Sequence, residues 1–207
     1  MTKHTGFTSR LNAWLLHKGS ERYNEKVNER KRSLLLDVSG RVLEIGPGTG
    51  ANLEYYPKDI SLIGLEPSPF MQHYLKEKAK QFKQEIEIIT GTAENIPLSD
   101  DSVDAVVSTL VLCSVDNPDD TLSEIKRVLK PGGQFLFMEH VAAPEGTSLR
   151  KAQRWVEPLW KHMADGCHPD RETWEAIENA GFDYVEIEHF RLSLPVVGPH
   201  IMGRAVK

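Results

Sequence analysis

Residues 41–52 read R-V-L-E-I-G-P-G-T-G-A-N, and this stretch decides which fold the chain can adopt. The segment from Arg41 to Ile45 is largely apolar and β-branched, which predicts a short buried strand. Three glycines at alternate positions follow, and the segment from Ala51 to Tyr56 predicts the start of a helix. A strand that breaks into a glycine turn lets the backbone approach a ligand closely, because no Cβ stands in the way.

The spacing of these glycines narrows the class of ligand. The pattern is G-x-G-x-G, whereas a dinucleotide-binding turn has the pattern G-x-G-x-x-G. Glu44, at the end of the strand, would put a carboxylate where a pyrophosphate would have to lie. The pattern therefore disfavours a phosphate ligand and favours one that carries an amine or a sulfonium. The alternative is a glycine-rich turn that binds no ligand.

The residues E-I-G-P-G-T-G at 44–50 resemble motif I of the class I S-adenosylmethionine methyltransferases. The resemblance implies an α/β, Rossmann-like fold, with a seven-stranded, mostly parallel sheet, helices on both faces and an antiparallel hairpin at one edge. It also implies S-adenosylmethionine as the cofactor and S-adenosylhomocysteine as the product. The residues expected to bind the cofactor are Glu44, Gly46, Pro47, Gly48, Gly50, Asn52, Glu66, Pro67, Thr92, Ala93, Glu94, Thr109 and Leu110.

An acidic residue after the second strand supports the resemblance. This strand is predicted from Ile60 to Leu65, and a helix-sized segment separates it from the first strand, which is the pattern of a βαβ unit. Glu66 follows it directly, and a carboxylate there suits the two hydroxyls of a ribose. The residues Pro67-Ser68-Pro69 then begin a helix that is predicted to continue through Lys80.

The third strand, predicted from Ile86 to Ile89, leads into G-T-A-E-N-I-P at 91–97, where the chain departs from the family pattern. Family members usually carry an acid before this alanine, which binds the adenine amine, but this chain has Thr92. A threonine accepts a hydrogen bond only through its hydroxyl, so Glu94 or the backbone is expected to take over that contact. The alternative for Glu94 is a capping or solvated carboxylate.

The remaining elements complete the predicted sheet. Thr109 and Leu110 lie beyond the carboxyl end of the fourth strand, where ligands of open α/β sheets bind, so both should face the cofactor. The later predicted elements are strand four (Val103–Ser108), a helix (Thr121–Leu129), a P-G-G turn at 131–133, strand five (Gln134–Glu139), a helix that opens at Arg171–Trp174 and ends at Gly181, and two final strands (Phe182–His189 and Val196–Val206).

A narrower resemblance lies in the second half of the chain. The segments that carry it are S-T-L-V-L-C-S-V at 108–115, F-M-E-H-V-A-A at 137–143, D-G-C at 165–167 with R-E-T-W at 171–174, and G-P-H-I-M-G-R-A-V-K at 198–207. They are similar to the methyltransferase-like 7 group, the alkyl thiol methyltransferases. This resemblance implies S-methylation of small or lipophilic thiols by in-line displacement. The alternatives are a methyltransferase acting on a nitrogen or oxygen nucleophile, and a non-catalytic module that binds S-adenosylmethionine.

The thiol chemistry points to a group that promotes ionisation of the acceptor. A free thiol has a pKa of about 8.5, so only a small part of it is ionised at neutral pH. His140, at the end of strand five, and Asp165 are the residues expected to take part in catalysis. The alternatives are a structural hydrogen bond for His140 and a turn for Asp165-Gly166. The residues expected to contact the acceptor are Trp14, Tyr23, Cys113, His140, Cys167, Arg171 and Trp174.

The sequence predicts no metal site and no disulfide. Cys167 stands beside His168, with His162 five residues before the cysteine, but adjacent Cys and His rarely bind one tetrahedral ion and no fourth ligand is evident. The chain has two cysteines, which indicates a reducing compartment and a cytoplasmic protein. The methyltransferase-like 7 group carries an N-terminal hydrophobic anchor that this sequence does not show, so we expect a soluble form.

Length and charge bound the remaining possibilities. The 207 residues suit a single globular protein, expected to be a monomer, and the net charge of −5 argues against nucleic acid as a partner. Residues 1–39 are predicted to form N-terminal helices that act as a lid over the substrate, with weak membrane contact as the alternative, and residues 40–207 to form the methyltransferase domain. The basic residues Lys26, Arg30, Lys31 and Arg32 are expected to form a solvated face.

Overall fold

The computed structural model describes residues 23–164 and 166–207, which form one seven-stranded sheet with helices around it. The strand order is β3-β2-β1-β4-β5-β7-β6. The elements are α1 (residues 23–35), β1 (Arg41–Ile45), β2 (Ser61–Leu65), α2 (Pro69–Phe82), β3 (Ile86–Ile89), β4 (Val103–Thr109), α3 (Pro118–Val128), β5 (Leu129–His140), α4 (Ser148–Met163), α5 (Thr173–Asn179), β6 (Tyr184–Arg191) and β7 (Pro199–Val206).

The central strand β1 is where the order of the sheet reverses. Leu43 is in register with Ile63 of β2 on one side and with Val106 of β4 on the other, and both pairings are parallel. Strand β2 therefore lies on one side of β1 and β4 on the other, so the strand order reverses at β1. Ligands of open α/β sheets bind at such a point, beyond the carboxyl ends of the strands. The turn of residues 46–50 and the segment of residues 110–115 both leave the sheet there.

Helices cover both faces of the sheet, as the sequence predicts. Leu43 and Ile45 point into a core cluster that includes residues of α3 and α5, whereas Val42 points into a second cluster with residues of α1 and α2. Adjacent residues of a strand face opposite sides, so this division shows that β1 is buried between two layers of helices.

The far edge of the sheet is antiparallel, which confirms the predicted hairpin. Strand β7 pairs antiparallel with β5, with Phe137 opposite Gly203, and β6 pairs antiparallel with β7. The predicted fold class is therefore correct. The predicted ends of most elements lie within three residues of the observed ones, and those of β1 and β3 coincide with them.

The segment that follows the glycine turn differs from the prediction. Residues 51–56 form successive turns and not the start of a helix. Leu53 N–H donates to the Gly50 carbonyl oxygen at 3.3 Å and Tyr55 N–H to that of Asn52 at 2.9 Å, so these bonds span three residues. The turns bring Leu53 and Tyr56 into the core, which fixes the segment without an α-helix.

Two elements, α3 and β5, begin earlier than the sequence predicts. Helix α3 begins at Pro118, three residues before the predicted start, because the Asn117 side chain accepts hydrogen bonds from the Asp119 and Asp120 N–H groups. Strand β5 begins at Leu129, which pairs with Val103, and residues 130–133 form an irregularity before pairing resumes at Gln134.

Candidate active site

The glycine turn after β1 forms an open cradle. Gly46, Gly48 and Gly50 all have positive φ angles, of 57°, 56° and 81°. A Cβ added to Gly48 would meet only the Gly46 carbonyl oxygen, at 3.9 Å, so that side of the turn is open space. A left-handed φ and an open face together allow a ligand to lie directly on the backbone at Gly48.

Glu44 provides an incompletely bonded carboxylate beside this cradle. Its side chain is buried, Oε1 accepts a hydrogen bond from Asn52 Nδ2 at 2.8 Å, and the buried Tyr56 hydroxyl is a second donor close to the carboxylate. Among the described residues, no hydrogen bond of ordinary length reaches Oε2. Burial raises the pKa of Glu44 to about 7, although the hydrogen bonds from Asn52 and Tyr56 and the charge of Lys31 oppose the rise. A buried acceptor without a donor is costly, and a cationic group of a ligand would relieve that cost.

The same amide of Asn52 connects the ends of β1 and β4. Asn52 Nδ2 also donates to Thr109 Oγ1 at 3.0 Å. Leu110 follows with a left-handed φ of 59°, and its N–H donates to the Met138 carbonyl oxygen. The predicted cofactor residues Glu44, Asn52 and Thr109 therefore form one hydrogen-bonded group, and Leu110 turns the chain away from the sheet beside it.

Helix α1 adds a buried cation that sequence reasoning missed. Lys31 is 2% exposed, contrary to the solvated face expected of the basic run, and its Nζ donates to Asn24 Oδ1 at 2.8 Å. Burial lowers the pKa of Lys31 to about 8, and the charge of Glu44 opposes that shift. The periodicity of α1 could have revealed it, because Lys31 is four residues after Val27, which is buried.

Glu66 fastens the end of β2 to the glycine turn. Its Oε2 accepts a hydrogen bond from Gly48 N at 3.0 Å, and its Oε1 accepts one from Ser68 N at 2.8 Å, across Pro67. The ribose contact of Glu66 stays a prediction, and the structure adds a second role in shaping the turn.

The segment predicted to contact adenine is held by backbone bonds. Thr92 is exposed and forms an isolated bridge with Asn95, and Ala93 is buried in the core. Glu94 Oε1 accepts a hydrogen bond from the Asp116 N–H at 3.0 Å. Glu94 therefore holds the backbone just before α3, and its contact with adenine stays a prediction.

Two cysteines and a histidine, all predicted to contact the acceptor, meet at the carboxyl edge of the sheet. Cys113 follows β4, His140 ends β5 and Cys167 follows α4, and all three are buried. His140 Nε2 lies 2.9 Å from Cys167 Sγ, which also accepts a hydrogen bond from Trp160 Nε1 at 3.2 Å. One side-chain N or S atom of each of the three lies within 4.8 Å of the others. We call Cys113, His140 and Cys167 the sulfur–imidazole cluster.

The two thiols of the cluster differ in acidity. A hydrogen bond from Cys113, followed by those from His140 and Trp160, lowers the pKa of Cys167. The same contact with Cys167, together with burial, raises the pKa of Cys113. One sulfur therefore carries negative charge more readily, and its neighbour remains protonated as the donor.

Two charged residues position the loop that carries Cys113. Glu139, which the site prediction omitted, is buried and accepts hydrogen bonds from Ser108 Oγ at 2.7 Å and from Val111 N at 3.1 Å. Arg171 Nη1 donates to the carbonyl oxygens of Leu112 and Val115 at 2.6 and 2.8 Å. Arg171 thus holds the backbone of the site, and an acid at the carboxyl end of β5 was the signal for Glu139.

Comparisons with known proteins agree with this arrangement. The family described as Methyltransferase domain matches residues 43–137. The chain is 43% identical over 198 residues to the thiol S-methyltransferase TMT1B of Rattus norvegicus, a match that covers 88% of this chain and 80% of that protein. It is 41% identical over 201 residues to the thiol S-methyltransferase TMT1A of Homo sapiens, covering 89% and 81%. The chain belongs to the same methyltransferase family as these proteins.

A solved structure shows the same fold. A SAM-dependent methyltransferase of Thermotoga maritima, described as a possible histamine N-methyltransferase, has a TM-score of 0.68 and 24% identity and covers 92% of this chain and 95% of its own. Family and fold imply S-adenosylmethionine as the methyl donor. The residues present fit it, because no hydrogen bond of ordinary length from the described residues reaches Glu44 Oε2 and the face of Gly48 is open.

Two other residues predicted to contact the acceptor, Tyr23 and Trp174, have different surroundings. Burial raises the pKa of Tyr23, which lies close enough to the sulfur–imidazole cluster for the charges of Glu139 and Cys113 to raise it further. The Tyr23 hydroxyl approaches Met138 Sδ at 3.9 Å and its ring stacks on His200, whereas the Trp174 ring packs edge-on against His189. Trp14 and Asp165 lie outside the described residues, so their roles stay predictions from the sequence. The helices of the described chain are too short or too polar to cross a membrane.

The histidines near Cys167 in sequence do not join it in space. His168 Nδ1 pairs with Glu157 Oε1 at 2.9 Å, and His162 Nδ1 lies 2.8 Å from the Pro158 carbonyl oxygen. The imidazole beside Cys167 is that of His140, 27 residues away in the chain. The group of possible metal ligands considered from the sequence is therefore replaced by the sulfur–imidazole cluster.

Proposed function

We propose that this methyltransferase transfers the methyl group of S-adenosylmethionine to the sulfur of a small or lipophilic thiol. The observation that carries the proposal is the match to relatives named thiol S-methyltransferases, 43% identical over 88% of the chain. The sulfur–imidazole cluster supports it, because His140 provides an imidazole at the end of β5 that can favour ionisation of a thiol.

The protein's proposed role towards the methyl donor, S-adenosylmethionine, is to bind and orient it. Glu44 would hold a cationic end of the cofactor, Gly48 would let it lie on the backbone, and Glu66 would accept from its ribose. When bound, S-adenosylmethionine supplies an electrophilic methyl group. Aligning two bound reactants can lower a barrier by about 7–11 kcal/mol, so displacement needs little further help from the protein.

For the acceptor half, the proposed role of His140 is to promote ionisation of the bound thiol. His140 is buried at the carboxyl end of β5, beside Cys113 and Cys167. A thiolate is the reactive form, and a neighbouring imidazole favours it. Asp165, close to Cys167 in sequence, is proposed to assist.

The N-terminal helices are proposed to close over both halves of the site. Helix α1 carries Tyr23, which contacts Met138 of β5, and Lys31, which is buried near Glu44. One helix thus reaches both the cofactor cradle and the end of β5. Excluding water in this way would protect the reaction, which is the function we propose for residues 1–39.

The experiment that tests the proposed function is transfer of labelled methyl to a panel of thiols, amines and phenols. We expect labelled thioether from alkyl thiols and no product from amines or phenols. Transfer only to amines or phenols would refute the thiol assignment. Tight binding of S-adenosylmethionine without transfer to any acceptor would instead identify a non-catalytic binding module.

The role of His140 is tested by the pH profile of the His140→Ala variant. Its turnover should fall most below neutral pH, and the loss should shrink as pH rises through the thiol's pKa of about 8.5, where the thiol ionises without help. Binding of S-adenosylmethionine should be normal. His162→Ala, at an exposed histidine, is the matched control. Equal turnover of His140→Ala and the wild type across that range would remove the proposed role.

A further inference from the structure

We infer that Cys113, His140 and Cys167 bind one divalent metal ion of the zinc class, and that the ion's fourth position takes the sulfur of the acceptor. The second half of this inference rests on the proposed function, whereas metal binding itself does not. The sequence predicted no metal, because adjacent Cys and His rarely bind one ion and no fourth ligand was evident; the three residues inferred here come from different parts of the chain. The fold brings them together at the end of β4, the end of β5 and the loop after α4.

The distances in the cluster suit a tetrahedral ion. Zinc binds cysteine sulfur at about 2.3 Å and histidine nitrogen at about 2.0–2.1 Å, which separates tetrahedral ligand atoms by about 3.6–3.8 Å. The three ligand atoms lie within 4.8 Å of one another, and the His140–Cys167 contact of 2.9 Å needs to open by less than 1 Å. Two thiols and one imidazole form a ligand set that zinc prefers, and three protein ligands leave one position open.

The loops that carry the two sulfurs are fixed to each other. The N–H of His168, next to Cys167, donates to the carbonyl oxygen of Cys113 at 2.8 Å. Arg171 holds the carbonyl oxygens on either side of Cys113, those of Leu112 and Val115. The ligand atoms are therefore held near each other before any ion binds, which reduces the entropic cost of binding.

The surroundings of the cluster also suit a cation. Trp160 Nε1 donates to Cys167 Sγ at 3.2 Å, the type of bond that orients a thiolate ligand from outside the coordination sphere. The buried Glu139 side chain accepts from Val111 N, and Arg171 donates to the carbonyl oxygens of Leu112 and Val115, so both hold the loop that carries Cys113.

The metal accounts for activation of the acceptor. When a thiol binds at the open position, a metal–sulfur bond forms, the S–H bond breaks and the proton passes to water. The sulfur keeps its electron pair and remains a nucleophile near neutral pH, where a free thiol is mostly protonated. His140 then promotes ionisation as a metal ligand, so this inference specifies the role proposed for it above.

The test is a titration of the reduced, metal-free protein with Co²⁺, which reports thiolate ligands through charge-transfer absorption. We expect saturation at one ion per chain, together with visible bands typical of tetrahedral cobalt. Adding an alkyl thiol without S-adenosylmethionine should shift these bands, because a third sulfur enters the coordination sphere. Zn²⁺ should displace the cobalt and remove the absorption.

Variants identify the ligands. Cys113→Ser and Cys167→Ser should each reduce the charge-transfer absorption to about half, because one of two thiolates is lost. His140→Asn should weaken Zn²⁺ by more than about 100-fold, since even changes outside the coordination sphere cost about 10–100-fold. His162→Asn, at an exposed histidine, should bind metal as the wild type does. Circular dichroism of each variant shows whether it is folded, and the wild-type titration needs no variant.

The outcomes separate this inference from the proposed function. Absence of charge-transfer bands in the reduced, folded wild type would overturn the metal site, even if thiols are still methylated. Metal binding with no spectral change on adding any thiol would overturn the fourth-position role. Metal binding that shifts with thiol, in a protein that methylates no thiol, would leave the site in place and refute the proposed function.

Discussion

Replacing Glu44 by glutamine should increase stability at neutral pH and weaken cofactor binding. Glutamine has nearly the same shape, and its amide oxygen can still accept the hydrogen bond from Asn52 Nδ2. The change removes the charge of a buried carboxylate whose raised pKa already includes the favourable contacts with Asn52, Tyr56 and Lys31. The variant therefore measures how much free energy of unfolding the protein loses by keeping a buried carboxylate beside the cofactor cradle.

The magnitude follows from the pKa of Glu44. Burial raises it from an ordinary 4.5 to about 7, a shift worth about 3 kcal/mol at 1.36 kcal/mol per unit. The folded protein holds this proton more tightly than the unfolded chain does. The contribution of protonated Glu44 to the free energy of unfolding is therefore fully present below about pH 4.5 and is lost as pH rises towards about 7. Between about pH 5 and about pH 8 the loss amounts to about 2.5 kcal/mol.

The assay is urea unfolding of the wild type and Glu44→Gln at about pH 5 and about pH 8. The free energy of unfolding of the variant, relative to the wild type, should rise by about 2.5 kcal/mol between these two conditions. Glu54→Gln, at an exposed acid of the neighbouring turn, is the control and should show no such rise. Calorimetry should show weaker S-adenosylmethionine binding only for Glu44→Gln.

Parallel pH dependence of stability in the wild type and Glu44→Gln would refute this reasoning, because it would mean that Glu44 ionises normally in the folded protein. Unchanged affinity for S-adenosylmethionine would separately refute the idea that the unpaired oxygen serves the ligand. A variant that is more stable but binds less well would show that Glu44 is kept for function at the expense of stability.

Three further substitutions test the cradle and the framework around it. Glu66→Ala should weaken S-adenosylmethionine by about 1.5–3 kcal/mol in calorimetry, the value of hydrogen bonds to a charged group, and an unchanged affinity would show that Glu66 does not serve the ligand. Gly203→Ala should lower the free energy of unfolding by about 1–3 kcal/mol, because the Cβ of alanine would collide with the Glu186 carbonyl oxygen across the β6–β7 pair. Wild-type stability of this variant would disprove the register of β6 against β7. Asn117→Ala should cost about 1 kcal/mol in the same assay, whereas Asn117→Asp should retain most of the cap of α3, and equal losses in both would exclude the capping role.

The sequence by itself determined the order and type of most elements. The predicted β1 and β3 coincide with the observed strands, because short apolar runs bounded by turn residues specify strands locally. The glycines of the turn after β1 could be interpreted directly, since a left-handed φ at Gly48 depends on a few neighbouring residues. Where local signals were weak, as in residues 51–56, the prediction of a helix was wrong because packing of Leu53 and Tyr56 fixes turns instead.

Only the tertiary structure decided which side chains meet. Lys31 belongs to a basic run in the sequence, yet helix packing buries it near Glu44, and its pKa falls as a consequence. Cys113 follows β4 and His140 ends β5, its parallel neighbour, so their side chains meet at one edge of the sheet. Cys167 joins them through a loop whose position depends on bonds to both. Such contacts join residues far apart in the chain, and their geometry is set by the packing of the whole sheet, which no local pattern encodes.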